Sequence, residues 1–356
     1  MRIVKNKIIF EHSDMAFLQK VGAANATEMV LDYKTVNATP FIYDTDQLSR
    51  FFTRGKKDLF SLLKNVDAAY RPISLQKKNG KYRQIYAPND CLKHCQKRIL
   101  QEILTKLPVS EYATAYRKGA TLLQNASPHV GKRYILKLDI TDFFGSICFE
   151  QVYSAAFHTG YYPKQIGVLF TRLCCRKNTL PQGAPTSPIL SNIVMRNFDN
   201  NIGKWCKKRG IAYTRYCDDM TFSADTPLFA VYQKAKGMLN EMGFSLNAQK
   251  THFLTNAGRQ SVTGLCVNEK VTVPRDYKRK LRQEVHYALK FGAAESIWHA
   301  DRKAFMTGDV PNAEAYYNHL LGRVGFVLQI EPENAWFQAA FEQLKTHTME
   351  RVGNPQ

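Results

Sequence analysis

A β-patterned stretch, Ile211–Ala224, is broken in its middle by Cys217-Asp218-Asp219, and this limits the fold more than any other feature. A strand alternates its side chains between two faces, so a polar interruption between apolar halves marks a hairpin turn. Two adjacent carboxylates then sit at or beside that turn. A second strand pattern, Arg133–Ile140, puts Leu136, Leu138 and Ile140 on one face and Ile135, Lys137 and Asp139 on the other. A sheet that sets this strand beside the hairpin gathers Asp139, Asp218 and Asp219 at one edge. Spacing alone does not require the meeting, because a lone Asp is most often a turn former or cap.

Three carboxylates in contact resist joint ionisation. Magnesium relieves the conflict: it is a hard ion that takes oxygen ligands, commonly one or two carboxylates plus substrate phosphates. Two such ions bridged by carboxylates make a centre suited to nucleotidyl transfer. The surrounding pattern supplies helices. They are expected over Asp46–Leu63, Cys91–Leu107, Phe149–His158, Lys164–Cys175 and Pro188–Arg209, with another from Pro227 to about Met242, stopped by Gly243. Asn79-Gly80, between Leu75 and Ile85, reads as a hairpin turn, and Phe244–Leu254 and Ser261–Val267 read as strands. From about residue 271 the pattern is mostly helical. Helices interleaved with strands in this way indicate an α+β fold, a sheet packed on one side by helices. No internal repeat is present.

The net charge of +20 and pI near 9.6 exceed what solubility needs and point to a polyanion. Nucleic acid is the first candidate and an anionic membrane surface the second. No apolar run approaches the roughly 20 residues that span a bilayer, and the first residues lack a signal-peptide core. Eight cysteines form no Cys-x-x-Cys pair, which fits a reducing, cytoplasmic setting. Cys91, His94 and Cys95 lack a second ligand pair at zinc-finger spacing.

Leu138-Asp-Ile-Thr-Asp-Phe-Phe144, Leu180-Pro-Gln-Gly-Ala-Pro-Thr-Ser-Pro188 and Tyr216-Cys-Asp-Asp219 occur in that order. This set resembles the reverse transcriptases, over roughly residues 70 to 270. Asn125-Ala-Ser-Pro-His129 and Val262-Thr-Gly264 resemble elements of the retron members, and no maturase, endonuclease or RNase H signature is seen. The resemblance implies a right-hand polymerase: an N-terminal helical extension over 1–65, fingers and palm over 66–270, and a helical, RNA-binding thumb over 271–356. It implies an RNA-directed DNA polymerase that copies part of a cognate structured non-coding RNA into DNA. Priming from a 2′-hydroxyl of a guanosine would leave RNA and DNA joined. The DNA copy, dNTPs and a separate effector protein would be its partners in defence against bacteriophage, with no membrane involved. A group II intron-like enzyme, an RNA-templated RNA polymerase and an idle RNA-binding scaffold are the alternatives. The Tyr-Cys-Asp-Asp turn and Phe144 weigh against an RNA polymerase, and the intact acids against a scaffold.

Residue roles carry over from the same resemblance. Asp139, Asp218 and Asp219, with the Ile140 carbonyl, would hold two Mg2+ ions. Arg83, with Lys81 or Lys78, would clamp the triphosphate, as a guanidinium fork suits phosphate. Asp142 would lie near the triphosphate or cap a helix. Phe144 would sit beneath the incoming sugar and exclude a 2′-hydroxyl, with Phe143 in the core. Gln182 would touch nucleotide or template, shaped by Pro181 and Gly183, and Lys250 would protonate pyrophosphate. RNA contacts are expected from Asn125, His129, Val262, Thr263 and Gly264. Arg275, Lys278, Arg279, Lys280 and Arg282 crowd one helix with the same role, and Tyr277, Tyr287 and Phe291 could stack on bases or pack the helix.

Overall fold

The computed structural model describes residues 2–4, 7–9, 40, 42–53, 55–76, 80, 82–158, 162–299, 303–307 and 310–352. The elements run β1 (Arg2–Val4), β2 (Lys7–Ile9), α1 (Thr45–Phe51), α2 (Lys56–Lys64), β3 (Tyr70–Gln76), β4 (Tyr82–Pro88) and α3 (Asp90–Glu102). Next come α4 (Leu122–Ala126), β5 (Tyr134–Asp139), α5 (Phe149–Ala156), α6 (Lys164–Cys174), α7 (Ser187–Lys207), β6 (Ala212–Tyr216), β7 (Asp219–Ala224) and α8 (Phe229–Glu241). The chain closes with β8 (His252–Thr255), β9 (Ser261–Val262), β10 (Leu265–Cys266), α9 (Arg275–Phe291), α10 (Ala293–His299), β11 (Met306–Thr307), β12 (Val310–Pro311), α11 (Ala313–Ile330) and α12 (Ala335–Val352). Four strands pair in the order β6-β7-β5-β8, and β3 and β4 form an antiparallel hairpin in which Leu75 faces Arg83.

Two compact units divide the chain. The first holds residues 1–120, 137–220 and 229–251; the second holds 121–136, 221–228 and 252–356. Residues 121–136 and 252–270, expected with the palm, thus cluster with the C-terminal helices.

In the first unit α7 is a buried axis, with Ile189, Leu190, Ile193, Met195, Phe198, Ile202 and Cys206 turned inward. Pro188 suits its first turn, where a missing N–H costs nothing. Phe52, Phe157 and Tyr162 surround Phe170 at ring separations of 6.2, 5.5 and 5.1 Å. Each such buried ring contributes roughly 1.5–3 kcal/mol. The helix expected over Asp46–Leu63 is two helices. Thr53 adopts a left-handed φ of 52° after α1, and Gly55 then caps α2, so the axis breaks between them.

The second unit has its own core, in which Leu281, Val285, Leu320, Val324, Phe337 and Leu344 from α9, α11 and α12 enclose Ala126, Ile135 and Val262. Gly292, at φ 85°, ends α9 where a Cβ would be strained. Two strand expectations are corrected. Phe244–Leu254 is extended only from His252, because the Asn247 side chain accepts from Gln249 N at 3.1 Å and starts a short 3-10 turn. Ser261–Val267 folds back on itself as β9 and β10 around Thr263-Gly264, both at positive φ (46° and 85°) as a tight hairpin turn requires. Among the described residues no helix is long and apolar enough to cross a membrane.

Candidate active site

The acidic turn rests on a buried prop. Cys217, at φ 61°, bends the chain between β6 and β7 and is itself buried. Beneath it Arg215, fully buried, donates from Nε and Nη2 to Asp199 at 2.8 and 2.5 Å, and from Nη1 to the Cys217 carbonyl at 2.9 Å. Tyr213 Oη donates to the same Asp199 carboxylate at 2.7 Å. Isolated charges could not be buried here; a bidentate pair whose third nitrogen is also bonded can be. Tyr116 Oη donates to Cys217 Sγ at 3.1 Å. Burial pushes the Cys217 thiol up to about 12, so it adds no charge beside the acids.

Backbone bonds then bring the acids together. Ile140 N donates to the Asp218 carbonyl at 3.3 Å, and Asn247 N to the Asp139 carbonyl at 2.9 Å. A cavity of about 640 Å³ is lined by Asp139, Ile140, Asp142, Phe144, Asp218, Asp219, Arg83, Gln182, Tyr116 and Lys250, among others. Burial first, then the charges of Asp218 and Asp139, raise the Asp219 carboxyl above its ordinary value, so the carboxylates are close enough to repel. Lys250 Nζ sits 2.7 Å from Asp139 Oδ2, and that bond raises the ammonium pKa. Among the described residues no three His, Cys, Asp or Glu side chains are spaced to hold a metal by themselves. The donor set is nevertheless all carboxylate and carbonyl oxygen. It fits magnesium, which commonly completes its shell with water and substrate phosphate.

The opposite side of the cavity is built from two further segments. Tyr86 N, on β4, donates to the Gln182 carbonyl at 2.6 Å, and a Cβ on Gly183 (φ 117°) would lie 2.8 Å from the Tyr86 carbonyl oxygen. Only glycine permits that approach. Arg83 projects exposed from β4; Lys81 and Lys78 lie outside the described residues. Phe143 is buried and Phe144 only partly so, their rings 5.5 Å apart. Asp142 is exposed, at φ 42°, and caps no helix.

Other expected residues are placed differently. Asn125, His129 and Val262 are buried in the second unit, so direct RNA contact is corrected to an internal role. Asn125 Nδ2 donates to Thr263 Oγ1 at 3.3 Å, and His129 Nδ1 lies 2.7 Å from Ser223 Oγ. Burial lowers the His129 pKa to about 3, which keeps the ring neutral. Gly264 is exposed. On α9, Arg275, Arg279 and Lys280 are exposed. Lys278 instead bonds both Glu331 oxygens at 2.7 and 2.8 Å, and Arg282 lies over the Phe337 and Trp336 rings at 5.1 and 5.6 Å. These two cations hold α9 in place. The residues missed in the sequence are Arg215, Asp199 and Tyr116. An arginine as the single charge of β6 is a signal for the first; nothing local marks Tyr116.

Known proteins bear on the same site. The family described as reverse transcriptase (RNA-dependent DNA polymerase) matches residues 75–287. The chain is 34% identical to the Retron Ec86 reverse transcriptase of Escherichia coli over 267 residues, 73% of this chain and 82% of that one. It is 33% identical to the Retron Mx65 reverse transcriptase of Myxococcus xanthus, over 75% of this chain and 62% of that one. A third relative, the Retron Ec83 reverse transcriptase of Escherichia coli, is 31% identical over 77% of this chain and 88% of that one. The match contains Asp139, the Pro-Gln-Gly loop and the acidic turn, and its extent decides the assignment: this chain belongs to the reverse transcriptases, as an RNA-directed DNA polymerase of the retron type.

Proposed function

We propose that this polymerase copies part of one cognate non-coding RNA into single-stranded DNA, primed from a 2′-hydroxyl of that RNA, giving a branched hybrid used with a separate effector in defence against phage. The reading is supported by the retron relatives and carried by one observation: Asp139, Asp218 and Asp219 line the same cavity as Phe144, Gln182 and Arg83. Residues 66–270 serve as fingers and palm apart from 121–136, 221–228 and 252–270, which cluster with the thumb, 271–356; residues 1–65 serve as an N-terminal extension, and the protein works in the cytoplasm.

Asp139, Asp218 and Asp219, with the Ile140 carbonyl, would hold two magnesium ions, which would lower the pKa of the attacking hydroxyl and stabilise the charge of the leaving pyrophosphate. Arg83 grips the triphosphate through its fork, and Asp142 lies beside it. The Phe144 ring lies under the deoxyribose and collides with a 2′-hydroxyl. Gln182, carried on a loop bonded to β4, positions the base or template. Lys250 balances the charge of Asp139 and is the proton donor to pyrophosphate; its raised pKa keeps it charged.

Primer extension on an RNA template, first with dNTPs and then with rNTPs, tests the polymerase. Sequencing of nucleic acid that copurifies with the protein tests the branched product. Copurified RNA without covalently attached DNA would refute the retron reaction while leaving the polymerase intact.

A further inference from the structure

Tyr116 lines the catalytic cavity beside Asp139, Asp218 and Phe144, and its ring is 45% exposed there. No role at the triphosphate, the sugar or the metals falls to it. Its backbone is left-handed, at φ 57°, a conformation uncommon outside glycine. A residue so strained persists only where its surroundings over-determine it, and such residues cluster at functional sites.

The surroundings here are bonded on both sides of the ring. Ala113 bridges Arg215 of β6 in parallel register. Thr114 donates to the Arg215 carbonyl from its amide, at 2.8 Å, and from its hydroxyl, at 3.1 Å. Asn192 Nδ2, buried on α7, donates to the Ala115 carbonyl at 2.8 Å. Arg117 Nη1 reaches back to the Ser110 and Ala113 carbonyls, both at 3.2 Å. At its tip the phenol donates to Cys217 Sγ at 3.1 Å. A ring needed only for packing would be covered. This one is fixed and left bare, as a preorganised contact with substrate must be.

Its neighbours identify what it meets. In the proposed reaction Arg83 and Phe144 take the incoming nucleotide, and the attacking hydroxyl must reach the ions held by the acids. The strand that carries this hydroxyl therefore ends beside Asp218. Tyr116 is bonded to Cys217, the residue before Asp218, so it borders that end of the cavity. An uncharged ring gives a large flat surface to a sugar and base without competing for a cation.

We propose that the Tyr116 ring is the surface on which the terminal nucleotide of the growing strand is seated, with its hydroxyl directed at the incoming phosphate. The proposal rests on the polymerase reading and adds to it the residue that positions the attacking strand.

The test uses the full chain, an RNA template and a preannealed DNA primer. Single-nucleotide incorporation is followed against primer–template concentration and, separately, against dNTP concentration. Wild-type extension is measured first; its failure would count against the polymerase reading and not against this contact. Tyr116→Leu keeps apolar bulk but removes the ring. It should raise KM for primer–template about tenfold and move KM for dNTP by less than about twofold. Tyr116→Phe keeps the ring and should restore most of the loss. Cross-linking without dNTPs gives a readout independent of turnover: 4-thiothymidine as the last primer nucleotide should label residues 113–117, and the same base several nucleotides upstream should not. A leucine variant with both KM values unchanged, or with KM for dNTP raised as much, would overturn the proposal. A fall in kcat alone would overturn it too, leaving Tyr116 as a support of the acidic turn. Should the leucine variant fail to fold, terminal cross-links outside 113–117 in the wild type would still refute the contact.

Discussion

Arg215 and Asp199 form a fully buried bidentate pair whose third arm holds the carbonyl of Cys217, the residue immediately before Asp218. Removing either partner leaves an uncompensated charge in the interior, so Arg215→Met and Asp199→Asn should each destabilise the fold by about 3–5 kcal/mol. Arg215→Lys keeps the charge but not the fork. It should recover part of that stability while leaving DNA synthesis depressed, because the turn loses its support. Denaturant melts beside steady-state extension rates check both effects; a lysine variant with wild-type turnover would show that the prop is structural only.

Asp218→Asn should abolish DNA synthesis and leave RNA binding largely intact. The amide keeps the shape but lacks the charge that a hard divalent ion needs. Chelation of divalent ions should silence the wild type in the same way. Appreciable extension by a folded Asp218→Asn protein would remove this carboxylate from the metal site.

Phe144→Ala should lower the ratio of dNTP to rNTP efficiency more than it lowers dNTP incorporation itself. Phe144 is only partly buried, whereas Phe143 packs in the core, so the truncation opens the cleft with little loss of stability. Competing dNTP and rNTP kinetics give the ratio directly; an unchanged value assigns Phe144 to packing.

Acid should weaken the second unit through His129. The folded pKa is about 3, while an unfolded histidine titrates near 6.5, so below pH 6.5 the unfolded chain binds a proton that the folded one refuses. This share of stability is therefore complete above pH 6.5 and falls by about 1.4 kcal/mol per pH unit on the way down towards 3. Urea titrations between pH 7 and 5 should show a shallower slope for His129→Asn than for the wild type.

Neutralising Arg275, Arg279 and Lys280 together should flatten the salt dependence of RNA binding, reducing its slope by about 0.7 for each phosphate that no longer meets a cation. Lys278→Met should do the opposite: it strands Glu331 and lowers stability, with the salt slope unchanged. Affinity measured from low to high salt, with a thermal melt for each variant, separates the two groups of cations.

The acids, the glycine loop and the β3–β4 and β6–β7 hairpins were legible because each depends on local pattern, whereas the β9–β10 hairpin was not. Alternation marked β5, the interruption at Cys217 marked a turn, and Gln182-Gly183 sat before a helix start. What stayed hidden depends on partners distant along the chain. Asn125 and His129 look like polar loop residues until Thr263 and Ser223 are brought beside them. Lys278 cannot be told from Arg279 by composition, since only the arrival of Glu331 removes it from the surface. The break after α1 is not written in local pattern, because Thr53, a β-branched residue, seldom adopts a left-handed backbone.

The contact between Tyr86 and the loop at Gly183 is made by main chain on both sides. No substitution at position 86 other than proline deletes its amide donor, while every substitution at 183 adds an obstructing carbon. The segments that carry Arg83 and Gln182 are therefore joined by a main-chain contact that ordinary side-chain mutation elsewhere does not remove. A side chain at position 183 should consequently disturb Arg83 and Gln182 together, although neither would itself be changed.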